Sequence, residues 1–146
     1  MFEYPSRIYN IVDGDTVDAV LDLGFKVQTR QRIRLWGINT PESRTRDLEE
    51  KKRGKAATAR LTELLAAVDN QCVVTSKEYG KYGRCLGILW VPLSEIEPLL
   101  EDWKSSILDQ PTLNEDSEFE TGDSAISLNQ LLVKEGHAVE YHGGKR

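Results

Sequence analysis

The sequence predicts a mainly β, α+β domain whose elements run β-β-β-α-β-β-α, the strands forming a meander or a barrel. Three observations predict it. Apolar and polar residues alternate through most of the first 36 positions, the period of two that a half-buried strand requires. One central run then switches to helical spacing. Two short β-rich runs and a capped helix follow it.

Residues 7–12 (Arg-Ile-Tyr-Asn-Ile-Val) read as the first strand, closed by the tight turn Asp13-Gly14-Asp15. In the second, Val17, Ala19, Leu21 and Leu23 alternate with Asp18, Val20 and Asp22 up to Gly24. The third runs from about Lys26 to Trp36. It sets Lys26, Arg30, Arg32 and Arg34 on one face and Val27, Ile33 and Leu35 on the other. Helical spacing begins after Gly54, where Ala57, Leu61, Leu64, Leu65 and Val68 mark one buried face. Residues 71–76 and 84–91 are β-rich runs joined by Lys77–Gly83, the pattern of a hairpin. Ser127 and Gln130 form a capping box, Leu128, Leu131 and Leu132 an apolar stripe, and Gly136 a helix stop.

A chain of 146 residues fits one domain over 1–146 with a core of its own. No apolar run approaches the ~18 residues of a membrane span, so no membrane partner is expected. The start has no basic segment followed by an apolar one, so no signal peptide is expected and the cytoplasm is the expected compartment. Cys72 and Cys85 match no zinc spacing and read as small buried residues on neighbouring strands.

The net charge of -5 is unevenly spread. From Leu93 to Ser124 ten acidic residues face the single Lys104, a net of -9, which leaves +4 on the rest. In this acidic insertion, at about 93–124, a short helix is expected first, with Pro98 in its first turn and Leu99, Leu100, Trp103 and Ile107 on one side. From Asp109 to Asp123 it reads as a polar surface loop.

Four places carry chemistry: Asp13-Gly-Asp-Thr16, Arg34, Thr40-Pro-Glu42 and Lys81-Tyr-Gly-Arg84. Hydrolysing a phosphodiester takes a hard cation held by oxygen ligands such as the carboxylate of Asp15 or Glu42. It takes a carboxylate to activate water, and arginine, whose planar fork meets two phosphate oxygens at once. Singly these are a turn, a strand charge, a kinked loop and a hairpin end. His137 and His142 lack the spacing of a metal pair.

Together, in this order, they resemble the staphylococcal nuclease (thermonuclease) family. The resemblance rests on Val12-Asp-Gly-Asp-Thr-Val17, Arg34-Leu-Trp-Gly-Ile-Asn-Thr-Pro-Glu42, the helix after Gly54, Lys81-Tyr-Gly-Arg84 and Ser127–Gly136, and spans roughly residues 7–92 and 125–142. It implies a five-stranded OB-type β-barrel with flanking helices. It implies a sugar-nonspecific endonuclease that takes DNA and/or RNA, with single-stranded and frayed DNA, and RNA, preferred, requires Ca²⁺ and leaves 3′-phosphates. Asp15 matches the family's calcium ligand, with Asn39 and Thr40 in the metal set and Asp13 supporting the turn. Arg34 and Arg84 match the phosphate-binding arginines, and Glu42 the proposed general base. Lys81 and Tyr82 match contacts to the neighbouring phosphate, and Tyr141 a base-stacking aromatic.

The chain departs from the family pattern at Asn39, where the staphylococcal enzyme has an aspartate. An amide oxygen still takes a hard cation but brings no charge, which opens the site to Mg²⁺ or Mn²⁺ as well as Ca²⁺. Gly80 stands where many relatives have Asp. The chain ends at Arg146, before the family's final helix, and the acidic insertion has no counterpart in the short enzymes. The insertion is a place for a protein partner; a monomer is otherwise expected, and a phage or mobile element is one source that would fit. The competing class is a catalytically weak nuclease-like module that binds nucleic acid or protein. Asp15, Arg34, Glu42 and Arg84 argue for the enzyme, since a scaffold has no physical need for that set.

Overall fold

The computed structural model describes residues 3–79, 85–100 and 125–141. Strands β1 (Glu3–Asp13), β2 (Thr16–Asp22) and β3 (Gln28–Leu35) form an antiparallel meander. After the short β4 (Ile38–Asn39) comes helix α1 (Leu48–Ala66), then the antiparallel pair β5 (Gln71–Tyr79) and β6 (Cys85–Pro92). Helix α2 (Leu93–Ile96) runs into a 3₁₀ turn at Glu97–Leu99, and β7 (Ala125–Ser127), α3 (Leu128–Lys134) and β8 (Val139–Glu140) follow.

The hydrogen-bonded order is β3-β2-β1-β5-β6, and β3 also pairs with β6 in parallel, Ile33 opposite Cys85 and Leu35 opposite Gly87. That pairing closes five strands into an OB-type barrel, so the expected α+β class and barrel hold. β7 extends the sheet beside β6, and β4 pairs with β8.

Alternation builds the core as the sequence implies. Val17, Ala19 and Leu21 from β2, Ile33 and Leu35 from β3, and Val74, Leu89 and Val91 from β5 and β6 all point inward. Helix α1 lays Ala57, Leu61, Leu64 and Leu65 across one end, and α3 adds Leu128, Leu131 and Leu132. Cys72 and Cys85 are buried free thiols on adjacent strands, and burial pushes the Cys72 thiol up to about 12. In α3, Ser127 Oγ accepts the Gln130 N–H at 3.2 Å, and Gly136 ends the helix at φ +80°.

Several boundaries differ from expectation. Helix α1 begins six residues before Gly54, at Leu48, because Asp47 caps it by accepting the N–H groups of Glu49 and Glu50. Apart from the exposed Leu48, residues 49–53 are all charged, so they carry no apolar stripe for a periodic reading to find. Val68 lies beyond the helix end, half-buried against the core. The third strand starts at Gln28. Lys26 is in the preceding turn, where Gly24, Phe25 and Lys26 all take positive φ and Leu23 and Val27 close the loop by backbone hydrogen bonds. Lys26 is therefore no part of the basic strand face. The short helix expected around Pro98 is replaced, up to Leu100, by α2 and the 3₁₀ turn; its continuation and the rest of the acidic insertion fall outside the described residues.

Arg60 on α1 ties three elements together. Its guanidinium donates twice to Glu135, at 2.8 and 2.6 Å, once to the Leu99 carbonyl at 2.8 Å, and to Glu63 at 2.7 Å. The Glu135 hydrogen bonds hold its protonation even more firmly than usual. Among the described residues no helix is long and apolar enough to cross a membrane.

Candidate active site

The chemistry collects where the β1–β2 turn, the end of β3 and the 39–43 segment meet. Asp15 is buried in the turn. Its Oδ1 accepts the Thr16 hydroxyl at 3.0 Å and its Oδ2 accepts the Thr40 N–H at 3.1 Å. Its own carbonyl takes the Leu35 N–H at 2.8 Å, which locks the turn to the end of β3. Asp13, at the other end of the turn, accepts from the Ser43 hydroxyl. Two carboxylates of one turn thus grip the Thr40–Ser43 segment at both ends, with Pro41 and Glu42 between them.

Arg34 is the hub. Its Nη2 lies 3.4 Å from Asp15 Oδ2 and donates to Asn39 Oδ1, while Nη1 donates to the carbonyls of Leu35, at 3.2 Å, and Asp15, at 3.4 Å. With side-chain exposure of only 14% it is held rigidly, its charge set against Asp15.

Glu42 borders a cleft of about 540 Å³ with Asn39, Thr40, Glu50, Arg53 and His137. Its backbone N–H donates to Glu50 Oε1 at 3.3 Å. Tyr141 is brought to the same end of the barrel by its backbone N–H, which donates to the Gly37 carbonyl at 2.8 Å. Asp13, Asp15, Arg34, Asn39, Thr40 and Glu42 therefore come together, and Tyr141 is fastened to the turn just before Asn39. Lys81, Tyr82 and Arg84 lie outside the described residues.

Glycines set how close these pieces come. A Cβ at Gly14 would lie 2.8 Å from the Ala57 methyl and 3.0 Å from Thr40 Cγ2. Only a bare backbone lets the turn reach α1 this closely. Asn129, buried on α3, accepts the Leu89 N–H and donates to the carbonyls of Trp36 and Gly87. It fixes the segment that leads from Arg34 to Asn39.

Sequence reasoning missed Ser43, Glu50, Arg53, Asn129 and the cleft position of His137. Glu50 and Arg53 were detectable only by extending α1 back to its Asp47 cap. Asn129 sits one position into a capped helix with no polar pattern around it, and His137 gave no spacing signal.

The donor set suits a hard cation in kind. The oxygens Asp15 Oδ2 and Asn39 Oδ1 both face one guanidinium nitrogen, Arg34 Nη2, so they point into the same small volume. Asp15 is the one carboxylate of that pair. Among the described residues no group of three or more His, Cys, Asp or Glu side chains could hold a metal ion.

A family model described as staphylococcal nuclease homologue matches residues 32–146. The micrococcal nuclease of Shigella flexneri is 33% identical over 91 residues, covering 62% of this chain and 45% of that protein. Protein ParB of Escherichia coli is 31% identical over 91 residues, covering 61% of this chain and 43% of that protein. The chain thus spans less than half the length of either relative.

Proposed function

The chain belongs to the staphylococcal nuclease homologues, and from that premise we propose that it is a metal-dependent nuclease hydrolysing phosphodiester bonds of DNA and/or RNA. The observation that carries the proposal is the convergence of Asp15, Arg34 and Asn39 beside a cleft bordered by Glu42. A buried carboxylate, a half-buried arginine fork and a second, exposed carboxylate at an open cleft are the three parts that attack on a phosphodiester requires.

In this reading Asp15, Asn39 and Thr40 hold a divalent cation, Ca²⁺ by family resemblance, with Mg²⁺ or Mn²⁺ admitted by the amide of Asn39. Such an ion, when bound, would supply Lewis-acid polarisation of the phosphate oxygens. Arg34 presents its fork to the same phosphate and meets the charge that grows on its oxygens at the transition state. In the structure Asp15 and Asn39 hold Arg34 Nη2, so a cation taking those two oxygens would turn the guanidinium from them to the phosphate. Glu42 would take a proton from the attacking water as the bond from phosphorus to the 5′ oxygen breaks, that oxygen leaving with a proton from solvent, and by resemblance Arg84 would be the second cationic fork. Products ending in 3′-phosphates follow from the family resemblance.

The test is digestion of plasmid DNA and of RNA with Ca²⁺, Mg²⁺, Mn²⁺ or excess chelator, for the parent protein and for Asp15→Ala. Activity that needs a divalent ion and is lost in a folded Asp15→Ala protein supports the reading. Undiminished hydrolysis in excess chelator removes it. Binding of nucleic acid with no cleavage under any metal would favour the module reading instead.

A further inference from the structure

The outer face of β1–β3 carries a row of cations that ends in the site just described. Alternation along β3 turns Arg30, Arg32 and Arg34 to one side while Ile33 and Leu35 face the core. At about 3.3 Å per residue, Arg30 lies ~13 Å along the strand from Arg34. Arg32 is held in place by two hydrogen bonds to Asp18, at 2.8 and 3.1 Å, which offset its charge but fix its direction. Arg30 lies 5.5 Å from the centroid of the Tyr9 ring, itself 51% exposed. Val20 pairs with Arg30 on one side and Arg7 on the other, so Arg7 continues the row across three strands.

At Arg7 the face cups into a groove of about 490 Å³, a size typical of small-ligand sites. Trp90, Gln28 and Gln71 also line it. None of its lining residues borders the cleft at Glu42.

The chemistry of this face selects its occupant. Arginine forks take phosphates, exposed aromatic rings take the flat faces of bases, and side-chain amides take base edges. Bases in a duplex stack on one another and leave no face for a ring, so the aromatic contacts match an unpaired strand. Asp22 also lines the groove and repels phosphate. A base therefore fits inside the groove, with the phosphates outside it at Arg7 and Arg30.

We propose that this face is a strand-binding subsite, remote from the cleavage point, for an unpaired DNA or RNA strand that runs from Arg34 past Arg30 and Tyr9 to the groove at Arg7 and Trp90. The proposal rests on the nuclease reading for its direction but not for its detection, because binding can be measured without cleavage.

The experiment compares the parent chain with an Arg7→Gln/Arg30→Gln double variant. A second double variant, Lys55→Gln/Lys134→Gln, removes the same charge from α1 and α3. All four side chains are exposed, and a thermal melt of each protein verifies folding. Fluorescence anisotropy in chelator reads the affinity for a labelled oligothymidylate at several salt concentrations, and kcat/KM is measured on that strand and on a dinucleotide. The expected result is affinity weakened by about tenfold or more in the arginine variant. The salt slope should fall by about 0.7 for each phosphate that is no longer neutralised, and kcat/KM on the dinucleotide should not change. Equal weakening in the lysine variant reduces the effect to net charge and overturns the proposal, as does an arginine variant that binds the long strand like the parent. A parent that binds through Arg7 and Arg30 yet cleaves nothing would refute the nuclease reading and leave this surface standing.

Discussion

The α-carbon of Gly54 lies against the backbone of Glu42: a methyl group on Gly54 would come within 2.7 Å of the Glu42 carbonyl and 2.6 Å of the Pro41 oxygen. The middle of a long helix thereby becomes the floor under the segment that presents the cleft carboxylate.

Gly54→Ala should destabilise the protein although alanine is the better helix former by about 1 kcal/mol. Backbone atoms cannot swing away as a side chain can, so overpacking of about 1–3 kcal/mol should outweigh that gain. Urea unfolding reads the midpoint, and kcat on a short substrate should fall with it as Glu42 is displaced. A variant more stable than the parent would show that the Pro41–Glu42 segment yields freely.

Arg34→Lys keeps one positive charge but cannot span Asp15, Asn39 and the Leu35 carbonyl with a single ammonium. Activity should drop in kcat by about 10²-fold or more, with KM little changed. Glu42→Gln should give a loss of similar size if Glu42 is the base. Near-normal kcat in the glutamine variant would reassign Glu42 to orienting water.

Asn39→Asp adds a carboxylate where the amide oxygen now faces Arg34 Nη2. Titration calorimetry should show Ca²⁺ bound about tenfold more tightly, roughly 1.4 kcal/mol. Equal or weaker binding would mean that position 39 serves the arginine and not a metal.

Stability in acid should depend on Asp18. The Arg32 hydrogen bonds, helped by one from Asn10 and opposed by burial, hold its carboxyl below the usual value of 3.8. A depressed folded-state value contributes stability that is complete above the unfolded value and disappears as pH falls through the folded one. Thermal melts should therefore show a loss beginning below about pH 4 that is smaller in Asp18→Asn. Parallel melting curves down to about pH 2.5 would mean that this pair, exposed on its arginine side, adds nothing to stability.

The elements were legible in the sequence where one interaction dominates. Val17, Ala19 and Leu21 alternate because one face of β2 is core, and Leu61, Leu64 and Leu65 recur because one stripe of α1 is core. Ser127 and Gly136 bracket α3 by local hydrogen bonding and by backbone freedom, neither of which needs a distant partner. Motif order, too, singled out Asp15, Arg34 and Glu42.

What the sequence could not decide depends on how distant segments meet. A period of two makes a strand but not its neighbours, so barrel closure by the parallel pairing of Ile33 with Cys85 and Leu35 with Gly87 came only from the tertiary structure. The start of α1 was hidden because residues 49–53 are all charged, and Gly54 reads as a break until the backbone of Glu42 is seen against it. The grip of Asp15 on the Thr40 N–H and of Asp13 on Ser43 joins residues 25 and 30 positions apart. Local propensity acts over a few residues; the site is made where the closed barrel brings its turn, strand end and helix together.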